Sequence, residues 1–470
     1  MALRRQHLAL ASTIAITLAA PLVTMAPVVP ASATAGCVEG SRGVADPYFP
    51  AAGNGGYDVK HYELELDYVP ATRALTGVAT ITAAAADDLR SFSLDLRGLT
   101  VTAVTVDAEM AAFRRDGQEL LVSPNVKPRT GEEFVTVVRY GGTTGQPVDG
   151  TNAVYGWVPT SDGAFVANEP DGAPTWFPAN DHPSDKATYD FDITVPAGST
   201  AVANGDLVGI SKAYGTTTYR WSAIEPMASY LATASVGDYD LLTSETAGGL
   251  LLIDAVDRDL PREQATAGLA RTGEMVEVFT DRFGPYPFSS FGSIVDDDTQ
   301  GYIALETQTR PIYSGPPAER TVAHELAHQW FGNAVTPASW RDIWLNEGFA
   351  TYAEWLWVEH AGGPSVQESF DKAYALPAGD EFWTVPPADP GVQNLFAGAV
   401  YERGAMTLVS LRDLLGAEVF TTLLRRWYTE NRDGNPSTAD FTELAEDVSG
   451  RSLEDFFTAW LTTPTKPALG

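Results

Sequence analysis

Residues 321–332, TVAHELAHQWFG, place His324 and His328 four positions apart, with Glu325 directly after the first. On a helix, side chains four apart share a face, so both imidazoles can direct a nitrogen at one metal ion. Glu325 is rotated by about 100° from His324. It therefore stands beside the ion rather than on it, where a carboxylate can take a proton from water. This is the pattern of a zinc metalloprotease, but H-E-x-x-H is short enough to arise by chance. A third ligand narrows the reading. Eighteen residues separate His328 from Glu347, in DIWLNEGFATYAEW. Glu347 falls on a second helix, read as 341–360, after Thr336-Pro337 turns the chain, and a short helical hairpin can bring it to the same ion. Two histidines and one carboxylate leave a fourth zinc position for water, as a catalytic site needs. Glu354, seven residues further along that face, can accept the outer N–H of a ligand histidine. The competing reading of Glu354 is a solvated glutamate on an amphipathic helix.

HELAH, the eighteen-residue gap and WLNEGFA together resemble the gluzincin aminopeptidases of the aminopeptidase N family, over nearly the whole mature chain. The resemblance implies one zinc ion on His324, His328 and Glu347, with Glu325 as general base. It also implies a tyrosine that stabilises the tetrahedral intermediate, matched by Tyr401 in VYERGAMTLVSLRDLLG. The family usually carries G-x-M-E-N ahead of the zinc helix, as a strand edge and an anchor for the substrate amine. Here Ile303-Ala304-Leu305-Glu306-Thr307 keeps only the glutamate. A second acidic anchor in the family precedes a Phe-Pro-x-x-Asp-x-Pro stretch, which is residues 177–183 here, and Glu169 stands at the matching offset. Two such acids favour an exopeptidase. They repel each other until an ammonium arrives, and a peptide α-amine supplies that charge near neutrality. Larger members append a long helical domain over the site. Residues 248–470 leave no length for one, so the resemblance is to a small secreted form with a more open site.

The elements that must position these residues change period along the chain. In YELELDY, Tyr62, Leu64, Leu66 and Tyr68 alternate with Glu63, Glu65 and Asp67, a half-buried strand. SFSLDLRG, VTAVTV, EEFVTVVRY, ATYDFDITVP and TTYRWSAI continue in kind, and Asp116-Gly117 marks a tight hairpin. From Pro261, PREQATAGLARTGEMVEVFTDRFG reads as a helix opened by proline and closed by glycine. Helices then dominate, apart from a strand-like stretch around SIVDDDTQGYIALETQTR, and residues 318–331 read as the zinc helix. The expected fold is α+β with two domains: an antiparallel β domain, a sandwich or saddle, over 57–247, and a mainly α, thermolysin-like catalytic domain over 248–470. Residues 36–56, rich in Gly, Ala and Pro, read as a leader.

Residues 1–35 read as a secretory signal. Arg4 and Arg5 precede an apolar run over 8–23, and Ala31-Ser32-Ala33 or Ala33-Thr34-Ala35 offers a cleavage site. The context of Arg4-Arg5 matches the twin-arginine route poorly. Pro21, Pro27 and Pro30 argue against a membrane anchor, and no later segment is apolar enough to span. Cys37 is the single cysteine, so an internal disulfide is excluded. It follows the small residues that lipid attachment needs, but Thr34 stands where leucine is usual, and it reads as an incidental thiol in a secreted protein. With 30 basic against 61 acidic side chains and a formal charge of −31, nucleic acid and anionic membranes are poor partners. Peptides with a free N-terminus suit it better. The sequence therefore reads as a secreted zinc aminopeptidase. A thermolysin-type zinc endopeptidase, or a non-catalytic secreted binding module with structural zinc, remains compatible with the same residues.

Overall fold

The alternation of residues 62–68 becomes the strand Tyr57–Val69, with Tyr62, Leu64, Leu66 and Tyr68 buried and the acids between them exposed. Burial of each such side chain contributes about 1.5–3 kcal/mol. A computed structural model of the chain describes residues 36–145, 155–297 and 304–469, so the signal segment lies outside the described residues. Tyr57–Val69 sits inside an eight-stranded sheet. In order across it run Asp206–Ala213, Thr216–Ala228, Lys186–Pro196, Tyr57–Val69, Ala74–Ala85, Glu133–Thr143, Thr100–Val106 and Glu109–Met110. Pairing is antiparallel except between Lys186–Pro196 and Tyr57–Val69. That strand arrives from a distant part of the chain, so no hairpin fixes its direction. A four-stranded sheet (Gly156–Pro159, Ala164–Ala167, Ala234–Gly237, Thr200–Ala203) leads to Glu169. The hairpin at Gly117 forms as Ala112–Asp116 against Glu119–Ser123.

From Cys37 onward the described residues pack as one compact unit, and the chain passes the expected boundary near residue 247 within it. A five-stranded sheet bridges that point: Tyr239–Glu245, Leu251–Asp257, Ser290–Val295, Ile312–Tyr313 and Ala304–Leu305. Its last strand ends immediately before Glu306. The segment read as a leader is built into the fold. Val38–Glu39 pairs with Leu89–Asp95, and buried Asp46 ties three parts of the chain together. Its Oδ1 accepts from the N–H groups of Tyr48 and Phe49, while Oδ2 takes His182 Nε2 (3.2 Å), Ser339 Oγ (2.7 Å) and the Trp340 N–H (3.2 Å). A loose composition concealed a buried charge that organises its surroundings.

Helices follow in the chain. The single helix expected after Pro261 is two, α1 (Arg262–Ala267) and α2 (Thr272–Phe283). They part at Gly268, where a Cβ would stand 2.2 Å from the Pro317 carbonyl oxygen. Then follow α3 (Glu319–Ala327), α4 (Trp344–His360), α5 (Val366–Tyr374), α6 (Gly404–Leu415), α7 (Ala417–Asn431), α8 (Thr438–Ser449) and α9 (Glu454–Phe457). The zinc helix is shorter than the expected 318–331, because its last turns loosen into a tight reversal after His328. No helix of the described residues is long and apolar enough to cross a membrane.

Candidate metal centre

α3 and α4 bring His324, His328 and Glu347 together, with one donor atom of each within 4.8 Å of the others. His324 Nε2 lies 3.2 Å and His328 Nε2 3.4 Å from Glu347 Oε2. The outer nitrogens have other partners: His324 Nδ1 is 3.5 Å from Glu354 Oε2, and His328 Nδ1 donates to the Phe331 carbonyl at 3.1 Å. Each ring is thus held with Nε2 inward, which is how a second partner fixes a ligand histidine. Glu354 is buried rather than solvated, and Arg320 Nη2 meets its other oxygen at 2.7 Å. Two imidazoles and a carboxylate within reach of one point suit a zinc ion.

Glu325 stands beside them, with a carboxylate oxygen within 4.8 Å of donor atoms of Glu306 and His328. Burial pushes its carboxyl up to about 7, against the pull of both histidines. Burial would raise Glu347 too, but the histidines outweigh it and hold that carboxylate low. For His324, burial acts downward, and hydrogen bonds to Glu347 and Glu354 overcome it to raise the imidazole well above its usual value. Protons and a cation therefore compete for the same nitrogens.

Glu169 and Glu306 meet here from opposite parts of the sequence, each with an oxygen within 4.8 Å of the other and of Glu347. Glu169 Oε1 and Glu306 Oε1 are buried without a hydrogen-bond partner. Both carboxyls are raised by burial first; Glu169 is raised further by its acidic neighbours, Glu306 foremost. Ile303 lies outside the described residues. Tyr401 sits in a π-helical turn, Ala399–Arg403, leading into α6. Its ring stacks on His324 at 6.0 Å between centroids and 20° between planes. Burial, then Glu347, Glu169, Glu306 and Glu325, keep its hydroxyl protonated well above the usual phenol pKa. Glycines let this turn approach: a Cβ on Gly348 of α4 would lie 2.8 Å from Gly404 Cα.

The sequence reading missed the residues that hold these groups from behind. Buried Arg403 donates to the carbonyls of Trp460 (2.8 Å), Trp383 (3.0 Å), Ala459 (3.1 Å) and Thr463 (2.6 Å), locking the turn that carries Tyr401. Gln329 spans the zinc helix and the anchor: Nε2 donates to the Glu306 carbonyl (3.3 Å), and Oε1 accepts from the Thr309 N–H (2.8 Å). Asn333 Nδ2 donates to the same Glu306 carbonyl at 2.8 Å. No local spacing marks them, because each donates to backbone carbonyls of distant segments.

Residues 58–231 match the Peptidase M1 N-terminal domain and residues 298–460 the Peptidase family M1 domain. Aminopeptidase M1-D of Oryza sativa subsp. japonica is 26% identical over 447 residues, covering 87% of this chain and 50% of its own length. Aminopeptidase N of Lactobacillus delbrueckii subsp. lactis is 27% identical over 443 residues, covering 87% and 51%. The chain thus spans about half the length of the curated relatives it matches. A crystal structure of a mutant M1 zinc metallopeptidase from Deinococcus radiodurans, bound to a Tyr-Ser-Ala substrate, is similar with a TM-score of 0.84. That pair is 30% identical, with 91% of this chain and 99% of that one covered. With both M1 domains matched and a solved relative covered almost end to end, the chain belongs to the peptidase M1 family.

Proposed function

We propose that the protein is an exported, zinc-dependent aminopeptidase that removes N-terminal residues from peptides. The observation that carries this reading is the pair of unpartnered buried oxygens, Glu169 Oε1 and Glu306 Oε1, beside the His324, His328 and Glu347 donors. An unpaired buried acceptor costs about 1–3 kcal/mol, and a substrate ammonium placed between the two acids would relieve both. An internal peptide segment brings no such charge. The amine therefore sets the register, and the first peptide carbonyl falls at the metal. The names of the relatives, and the Tyr-Ser-Ala substrate in the solved relative, point the same way.

His324, His328 and Glu347 would hold the zinc, which when bound polarises a carbonyl and makes water more acidic. Glu325 takes the proton from the attacking water and passes it to the departing amine, a role suited to a carboxyl tuned near neutrality. The Tyr401 hydroxyl donates to the carbonyl oxygen as it gains charge. Glu354 keeps the His324 ring oriented. Export rests on Arg4, Arg5, the apolar run over 8–23 and the small residues after it.

A panel of aminoacyl-fluorophore amides, assayed with and without chelator, tests the proposal. Chelator-sensitive, zinc-restored release from free-amine substrates is expected, with little from their N-acetylated partners. Efficient cleavage of the blocked partners would instead make the protein an endopeptidase.

A further inference from the structure

The turn after the zinc helix carries more than its own chain. The Asn333 N–H donates to the His328 carbonyl at 3.0 Å, and Asn333 Nδ2 donates to the Glu306 carbonyl at 2.8 Å. One residue thus fixes the spacing between a metal-ligand histidine and an amine-anchor glutamate. What fixes Asn333 comes from the β region. Lys186, the first residue of Lys186–Pro196, extends its ammonium to the carbonyls of Asn333 (2.9 Å) and Ala334 (3.1 Å). Burial lowers its pKa to about 7, with Asp433 acting to raise it and Arg432 to lower it. A half-buried lysine whose ammonium is given over to two carbonyls calls for an explanation.

We propose that Lys186 is a positioning residue, whose ammonium holds the 331–336 turn so that His328 and Glu306 keep the separation that metal and substrate amine require. The proposal rests on the aminopeptidase reading above. Cohesion alone explains the contact poorly, because both carbonyls have second donors. Asn333 O also accepts from Thr336 Oγ1 at 2.9 Å, and Ala334 O from the Asp433 N–H at 2.7 Å. Removing the ammonium therefore orphans neither carbonyl, and an apolar side chain of similar length avoids burying a charge. What is lost is the direct strut from the sheet to the turn. Small misplacements of catalytic groups are costly, and outer partners of metal ligands typically tune affinity ~10–100-fold.

The test compares wild type, Lys186→Met, Lys186→Gln and, as a control, Tyr48→Phe. Tyr48 Oη donates to Asp389 Oδ1 at 2.6 Å, a link between segments far apart in sequence that uses none of the metal-centre residues. Zinc affinity is measured by competition with a chelator, and kcat and KM for an aminoacyl amide at a temperature where each variant is folded. For Lys186→Met we expect zinc affinity about tenfold weaker and KM for the free-amine substrate raised about tenfold. Lys186→Gln, which keeps a donor but no charge or full reach, should fall between. Tyr48→Phe should lose thermal stability alone. If Lys186→Met and Lys186→Gln melt lower but keep zinc affinity and KM within twofold of wild type, Lys186 is only a structural clamp. Should the methionine variant not fold, the glutamine variant decides by the same two constants. A wild-type chain that binds no zinc would overturn the aminopeptidase reading, and this role with it.

Discussion

Replacing Glu306 by Gln removes one charge from the amine site and leaves its shape. Glu306 and Glu169 bring carboxylate oxygens within 4.8 Å of each other, so an ammonium between them contacts both. At about 4 Å and an effective dielectric near 20, each contact is worth roughly 4 kcal/mol before desolvation is subtracted. Truncating one partner of such a buried charge pair costs about 2–5 kcal/mol, or roughly 30- to 5,000-fold in kcat/KM. The backbone carbonyl of Glu306, which Gln329 and Asn333 hold, is untouched, so the strand edge should stay in place. The assay is kcat/KM for an aminoacyl amide and its N-acetylated partner, on wild type, Glu306→Gln, Glu169→Gln and the double variant. The free-amine substrate should lose most of its rate and the blocked one little, so their discrimination collapses. Because both acids hold one ammonium, the double variant should lose less than the sum of the singles. An equal loss on both substrates would refute the reasoning, for Glu306 would then support the fold or the metal instead.

Glu325→Gln should retain zinc by elemental analysis yet lose ~10²–10⁴-fold in turnover; more than half of wild-type activity with zinc in place would remove Glu325 as the base. Glu354→Gln should weaken zinc binding ~10–100-fold in chelator competition, since His324 Nδ1 loses a charged partner; an unchanged constant would leave Glu354 no part in the metal centre. Asp46→Asn should show a pH-dependent cost. Burial would raise this carboxyl, but hydrogen bonds from His182, Ser339, Phe49 and Tyr48 hold it well below the usual carboxylate range. A depressed carboxylate contributes stability above its unfolded pKa of about 3.9 and loses it as pH falls. Denaturant titrations should find the variant weaker by roughly 1.5–3 kcal/mol at pH 7 and closer to wild type below about pH 4. A gap that stays constant down to pH 3 would contradict that sign.

The meeting of His324, His328 and Glu347 was legible because helical spacing is local: four positions along α3, and one turn on to a second helix. Glu354 was legible in the same way, two turns along α4 from Glu347. Alternation in residues 62–68 likewise announced its strand. Glu169 and Glu306 are different. No spacing rule joins residues so far apart, and only the likeness to a family suggested them. Lys186, Gln329, Asn333 and Arg403 were not visible, because each acts by donating to backbone carbonyls of distant segments. Composition also hides single decisive contacts. Residues 36–56 look like a loose leader until Asp46 is seen gathering His182, Ser339 and Trp340. The break in the helix after Pro261 depends on what packs against Gly268, which is the Pro317 backbone.

The central claim is that one metal centre cuts the first peptide bond because two acids hold a free amine. Mass spectrometry of one unlabelled peptide tests it most directly. The peptide is supplied with a free N-terminus and, separately, N-acetylated, to the zinc-reconstituted chain and to the chain treated with chelator. The account predicts stepwise loss of residues from the free N-terminus, none from the acetylated peptide, and none after chelation until zinc is restored. Internal cuts in the acetylated peptide at a comparable rate, or zinc bound without cleavage of either peptide, would contradict it.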